Sequence, residues 1–254
     1  MEKAERMLDT GLDGRTVLIT GSAQGLGAAL VRACHAEGAH VAALDIDDET
    51  NRALANGLDP TGERIRPVQA DLRDPDALAA AYAEVRDWRP VDVLINNAAR
   101  PLARSLWEIT PEEWDDVFAV NLRAVFLLTR AVAADMRDRG FGRIVNVASI
   151  AGQTPRPTGA AYGTSKAGMI ALTRVFAAEL APYGVTVNAV APAMIDTAMV
   201  RSIGPEALAE LTSQVPMGRI ATPEEVARVA LFLASRETFV TGATYDVNGG
   251  VLMR

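Results

Sequence analysis

The feature that most restricts this chain is a repeated alternation of short, apolar, β-branched runs with longer helical stretches. Strand-like runs fall at residues 16–20, 40–44, 66–69, 91–96, 143–147, 186–190 and 244–247. Helical patterns lie between them at 27–37, 75–87, 111–139 and 160–181. Most of the strand runs are continuously apolar, the mark of strands covered on both faces. The pattern predicts an α/β fold: one doubly wound, parallel, seven-stranded sheet with helices on both sides. Two helix starts are written out, Thr110-Pro111-Glu112-Glu113 and Thr222-Pro223-Glu224-Glu225, each an N-cap, a proline and two acids. No linker or repeat interrupts the pattern, so residues 13–254 read as a single domain and 1–12 as a loose tail. A chain of 254 residues can build a core without disulfides or metals.

Composition narrows the partners. Lys+Arg 25 against Asp+Glu 32 gives a net charge of −7, with no basic run, which argues against nucleic acid and anionic membranes. The single cysteine, Cys34, excludes an intramolecular disulfide and fits a reducing, cytoplasmic setting. With two histidines, His35 and His40, the chain lacks a His/Cys zinc set, and no metal is expected. Residues 1–14 lack a signal-peptide core, and no apolar run approaches the roughly 18 residues of a membrane span. Cys34, His35, Trp88, Trp107 and Trp114 read as packing residues, and Arg156 as a solvated side chain.

The first strand runs directly into Thr20-Gly21-Ser22-Ala23-Gln24-Gly25-Leu26-Gly27 and then a helix. Glycines let the chain turn tightly and let backbone approach a ligand without a Cβ in the way. The helix behind them offers free N–H groups and a positive dipole end to a pyrophosphate. The spacing is G-x-x-x-G-x-G, not the commoner G-x-G-x-x-G. The second strand leads to Asp45, 24 residues after Gly21. A carboxylate there can accept from ribose hydroxyls and repel a 2′-phosphate. Asp47, Asp48 and Glu49 add charge of the same sign, and Gln24 is neutral. The expected cofactor is therefore NAD rather than NADP. Asp45 also suits a plain strand-end turn.

Downstream stand Ser149 and Tyr162-Gly163-Thr164-Ser165-Lys166. Tyr162 and Lys166 are four apart and share a helix face. A free phenol titrates near 10, too high for a base at neutral pH. A nearby ammonium favours the phenolate and is expected to lower that value, which fits proton transfer at a hydroxyl or carbonyl oxygen. A Ser149 hydroxyl can hold that oxygen.

Residues 20–27, Asn96-Asn97-Ala98-Ala99, Asn121, Ser149 and Tyr162-x-x-x-Lys166 together resemble the short-chain dehydrogenase/reductase family, from about Asp13 to Gly250. The resemblance implies a Rossmann-type fold and a set of roles. Tyr162 would be the general base in oxidation and the acid in reduction. Lys166 would lower its pKa and bind the nicotinamide ribose. Ser149 would orient the substrate oxygen, and Asn121 would hold a water in a proton relay. Gly21, Gln24, Gly25, Leu26 and Gly27 would carry the cofactor, with Asp45 on the ribose and Asp71 and Leu72 at the adenine. Asn97 and Ala98 would line the adenosine ribose side. Ile195 and Thr197 would grip the carboxamide. Ala99 and Ala193 stand where the family usually has glycine, which touches cofactor geometry rather than reaction class.

The segment 193–215 is expected to close over substrate. It carries Met194, Met199, Ile203, Leu208 and Leu211 beside Asp196, Arg201, Glu206 and Glu210. Met-rich cover suits a neutral or apolar alcohol or ketone. The leading expectation is an NAD-dependent oxidoreductase interconverting a secondary alcohol and a ketone, working towards oxidation. Two other readings are an NADPH-linked 3-oxoacyl thioester reductase and a non-catalytic cofactor-binding regulator. The presence of Ser149, Tyr162 and Lys166 together weighs against the last. The helix at 160–181 is apolar nearly all round, with charges only at Lys166, Arg174 and Glu179. It is expected to pack on a second copy, and the family resemblance implies a homotetramer.

Overall fold

A computed structural model describes residues 10–154, 157–197, 200, 204–235 and 239–253. Seven parallel strands form one sheet in the order β3-β2-β1-β4-β5-β6-β7. They are β1 (Thr16–Thr20), β2 (His40–Asp45), β3 (Ile65–Gln69), β4 (Val93–Asn96), β5 (Gly142–Val147), β6 (Val185–Pro192) and β7 (Thr244–Val247). The helices are α1 (Gly25–Ala36), α2 (Asp48–Leu58), α3 (Pro75–Trp88), α4 (Pro111–Phe118), α5 (Ala124–Arg139), α6 (Ala160–Leu180), α7 (Pro205–Ser213) and α8 (Pro223–Ala234). This is the doubly wound Rossmann arrangement the sequence predicts. The chain order reverses where β1 pairs with both β2 and β4, and ligands bind outside the carboxyl ends of strands at such a switch point.

Strand alternation explains the two-sided core. In β1, Val17 and Ile19 join the apolar cluster under α1 and α8, while Leu18 joins the one under α3 and α5. Both faces are buried, so the strand reads as one apolar run. The two expected helix starts form full capping boxes, Thr110 with Glu113 and Thr222 with Glu225.

Some expectations change. The tail does not extend to residue 12: Leu12 is buried in the core, and the Thr10 hydroxyl donates to Glu37 at 2.8 Å. Residues 1–9 lie outside the described residues, as do Arg156, Met199, Arg201 and Ile203. The stretch Pro111–Arg139 is long and apolar enough to cross a membrane, yet half of that window is buried inside the fold. The expected helix at 111–139 runs unbroken, with a π-helical turn, Ala119–Arg123, set inside it between α4 and α5. Trp107 is not a packing residue, being 90% exposed at the tip of the loop after β4. Trp88 packs edge-on against His40, and Trp114 stacks on Phe118 at 4.5 Å.

Candidate active site

The glycine turn is held together by backbone contacts that leave no room for side chains. A Cβ on Gly27 would lie 1.7 Å from the Gly21 carbonyl oxygen, and one on Gly21 would lie 2.7 Å from the Ala98 Cα. Gly21 and Gly25 also adopt positive φ, +67° and +55°. Asn97 clamps this turn from the end of β4. Its Nδ2 donates to the Thr20 and Gly21 carbonyls at 3.0 and 2.9 Å, while the Thr20 hydroxyl accepts from the Asn97 and Ala98 N–H groups. Asn97 therefore shapes the cleft through its side chain, whose two amide protons are both engaged by the turn.

The turn fits a dinucleotide. Helices α2, α3, α4 and α8 each cap their N-terminus with an Asp or Thr side chain and carry acids in the first turn. Helix α1 has neither, so its first N–H groups and positive dipole end face the glycine turn. Leu26 is buried in the core and Gln24 is the exposed N-cap residue. Asp45 ends β2 beside the turn, where its carboxylate accepts from the Ala23 N–H at 2.9 Å and the Asp47 N–H at 3.0 Å. Across the turn, Thr197 Cγ2 lies 3.3 Å from the place a Gly25 Cβ would take. Ile195 is fixed by a bridge to Ala221. Thus Asp45 and Thr197 flank the two ends of one cradle.

Asp71, the position expected at the adenine, stands after β3 in an ion pair. Its carboxylate is gripped by the Arg73 guanidinium, at 2.7 Å for the shortest contact, which holds the acid below the usual carboxylate range. Leu72 beside it is half-buried against the core.

The proton-transfer residues converge. Ser149 caps the short 3₁₀ turn Ile150–Gly152, accepting from the Ala151 N–H at 3.1 Å. Its hydroxyl lies beside the Tyr162 phenol, near enough to draw the phenol's pKa down. The two elements touch closely: a Cβ on Gly152 would lie 2.6 Å from the Lys166 carbonyl carbon, and one on Gly163 would lie 2.9 Å from the Ala151 carbonyl oxygen. Lys166 is fully buried, its Nζ 5.8 Å from the Tyr162 ring centre and donating to the Val147 carbonyl at 2.7 Å.

The electrostatics correct a sequence expectation. Burial pushes the Tyr162 phenol up, and the Ser149 hydroxyl, not the ammonium, opposes that push. The physical reason is geometric: the ammonium is turned to a backbone carbonyl. Burial pushes Lys166 itself down to about 7.

Asn121 lies in the π-helical turn, fully buried. Its Nδ2 donates to the Arg100 carbonyl at 3.1 Å and the Ser165 hydroxyl at 3.0 Å, and its Oδ1 accepts from the Arg100 N–H at 2.7 Å. Ser165 in turn donates to the Tyr162 carbonyl at 2.8 Å. With both amide protons engaged, only carbonyl oxygens of Asn121 remain to hold a water. Ser165 and Thr20 were missed in the sequence, where a hydroxyl beside a motif carries no signal of its own. Among the described residues, no group of three or more His, Cys, Asp or Glu side chains is placed to hold a metal.

A dinucleotide cradle facing a tyrosine, a serine and a buried lysine defines a nicotinamide-dependent oxidoreductase. Residues 21–252 match the family model described as enoyl-(acyl carrier protein) reductase. The acetoacetyl-CoA reductase of Rhizobium meliloti is 41% identical over 241 residues, covering 93% of this chain and 98% of the relative. The 3-oxoacyl-[acyl-carrier-protein] reductase FabG of Thermotoga maritima is 38% identical, covering 95% and 99%. A Beutenbergia cavernae structure described as an NAD(P)-dependent gluconate 5-dehydrogenase with bound NADP at low occupancy superposes with a TM-score of 0.90 at 37% identity, covering 94% and 97%. This chain belongs to the short-chain dehydrogenase/reductase family.

Proposed function

We propose that this chain reduces the 3-oxo group of an acyl thioester to a 3-hydroxy group, reversibly, with Tyr162 as the proton donor. The carrying observation is the convergence of Ser149, Tyr162 and Lys166, with the Ser149 turn packed against the helix that bears the other two, in a chain that closely resembles 3-oxoacyl reductases along nearly its whole length. This moves the substrate from the simple alcohol expected at first to a ketone two carbons from a thioester. The chemistry at the oxidised carbon is the same.

When bound, the nicotinamide supplies or takes the hydride. The chain's own residues do the rest. Ser149 hydrogen-bonds the carbonyl oxygen and fixes its direction. The Tyr162 hydroxyl gives its proton to that oxygen as the alcohol forms, and takes it back in the reverse direction. A phenol kept protonated by burial is suited to the acid role, which favours reduction. Lys166 lies behind the Tyr162 ring, its Nζ 5.8 Å from the ring centre and its own value pushed near neutrality by burial. Asn121 acts as a positioning residue, tying the loop after β4 to Ser165 beneath Tyr162.

For the cofactor we favour NAD. The Asp45 carboxylate at the β2 end would accept ribose hydroxyls and repel a 2′-phosphate. A second reading, oxidation of a polyol-type secondary alcohol, is favoured by the gluconate dehydrogenase neighbours, while its linkage to NAD rests on Asp45 alone, since one of those neighbours is described with bound NADP. We also place the chain in the cytoplasm, on the single buried cysteine. We propose a homotetramer, because α6 leaves Gly168, Leu172 and Val175 facing Leu122 and Phe126 in an open apolar groove. A monomer near 27.0 kDa by light scattering would remove that assembly.

The test is acetoacetyl-CoA with NADH or NADPH, beside gluconate with NAD or NADP. Turnover of acetoacetyl-CoA supports the thioester reading, and turnover of gluconate alone supports the second. Tyr162→Phe should bind NADH and lose turnover by about 100-fold or more. Retained turnover removes Tyr162 from the chemistry. Asp45→Ala should raise the NADP-to-NAD preference ratio by about 10-fold, one lost charge interaction of roughly 1.4 kcal/mol.

A further inference from the structure

Lys166 Nζ touches two groups besides the Tyr162 ring: the Val147 carbonyl at 2.7 Å and the Met169 sulfur at 4.0 Å. Neither residue stands alone. Val147 follows Asn146 in β5, and Asn146 Nδ2 donates to the Thr173 hydroxyl at 2.9 Å. The Thr173 hydroxyl donates to the Met169 carbonyl at 2.8 Å. The two groups that meet the ammonium are thus neighbours of the two ends of a single buried strand-to-helix bridge.

The bridge has only one arrangement. Thr173 has one proton, which goes to Met169, so it must accept from Asn146. The Asn146 Oδ1 accepts from Asn96 Nδ2 at 2.8 Å, and Asn96 also donates to the Thr129 hydroxyl at 3.0 Å. Flipping Asn146 alone would set donor against donor, and flipping Asn96 alone would set acceptor against acceptor. All four side chains are buried, so each lost partner leaves an uncompensated polar group. Packing alone would keep α6 on β5. A fixed hydrogen bond at this point sets the spacing at which Lys166 reaches across.

We propose that Asn146 and Thr173 are positioning residues for Lys166, holding Val147 and Met169 at the separation that fixes the ammonium behind Tyr162. This rests on the role given to Lys166 above. A small displacement of a reacting group costs one to two powers of ten in rate.

The experiment compares Thr173→Val with Thr173→Ser in the ketone assay that the wild-type protein supports. Valine keeps the volume and removes the hydroxyl; serine keeps the hydroxyl and removes the methyl. Both variants are expected to melt below wild type. Measured well below both melting temperatures, kcat should fall about 10-fold or more for valine and stay within about 3-fold for serine. If valine does not fold, Thr173→Ala replaces it against the same serine variant. A hydroxyl-free variant that keeps full kcat overturns the inference. So does a serine variant that falls as far, because the loss would then follow packing. Lys166→Met runs alongside. If it keeps turnover, the role of Lys166 fails. If it loses turnover while the hydroxyl-free variant keeps it, only the positioning inference fails.

Discussion

On the β1–β2 side of the cleft, three glycines let backbone meet backbone: Gly27 against the Gly21 carbonyl, Gly21 against Ala98, and Gly25 facing Thr197. On the β5–α6 side, glycine contacts at Gly152 and Gly163 are joined by a larger set of side-chain hydrogen bonds, from Asn96 through Asn146 to Thr173, and from Asn121 through Ser165 to the Tyr162 carbonyl. The difference follows from what each side must do. A pyrophosphate needs bare N–H groups, and any Cβ would stand between them and the ligand. A proton-transfer site needs a few functional groups fixed in direction, which only other polar groups can do. The two sides should therefore fail in different ways.

The largest failure is expected from Gly27→Ala. One methyl placed 1.7 Å from a carbonyl oxygen cannot be accommodated without moving the turn. We expect a loss of about 4 kcal/mol or more in unfolding free energy and no measurable NADH binding, checked by urea titration and by NADH fluorescence. A variant that folds and binds normally would end the claim that this side is built by backbone contact.

Lys166→Met probes the other side and should act in the opposite sense. Burial alone pushes the ammonium from an ordinary value of 10.5 down to about 7. Between those values the unfolded chain binds a proton that the folded chain releases, so wild-type stability relative to the variant rises with pH across that window. Below about pH 7 both states are protonated and the full burial penalty applies. The methionine variant should therefore be the more stable protein at about pH 6, by roughly a few kcal/mol, with the gap closing towards about pH 10. Urea unfolding at several pH values checks it, and a pH-independent gap would show that Lys166 is not held as a strained charge.

The same contrast decides what was readable from sequence. The glycine turn, Asp45 and the strand runs were legible because glycine spacing and continuous apolar runs each have few physical meanings. The capping boxes at Thr110 and Thr222 were legible for the same reason. The π-turn at Ala119–Arg123 was not. Its residues continue a helical pattern, and the π-turn coincides with three hydrogen bonds, two donated and one accepted by the Asn121 side chain, to groups 21 and 44 residues away. The upward push on Tyr162 was also hidden. Four-residue spacing shows that Lys166 shares its helix face, but not that the Val147 carbonyl holds the ammonium. Helix α2 escaped notice because its apolar face is thin, with Asn51 buried where an apolar residue would ordinarily sit.

That buried Asn51 gives the smallest test and the sharpest one. The Ser22 hydroxyl donates to Asn51 Oδ1 at 2.8 Å, and Asn51 Nδ2 donates to the Ala43 carbonyl at 2.7 Å. This is a side-chain network placed within the backbone-built side. If glycine contacts alone shape the cradle, the network serves only to seat α2 on β2. Ser22→Ala leaves the Asn51 oxygen without its donor and should lower stability by about 1–2 kcal/mol. NADH affinity should stay within about 2-fold, since the turn backbone is set by Gly21, Gly27 and Asn97. Equal losses of stability and affinity would mean that the cradle, too, depends on side chains for its shape, and the distinction between the two sides of the cleft would then be one of degree.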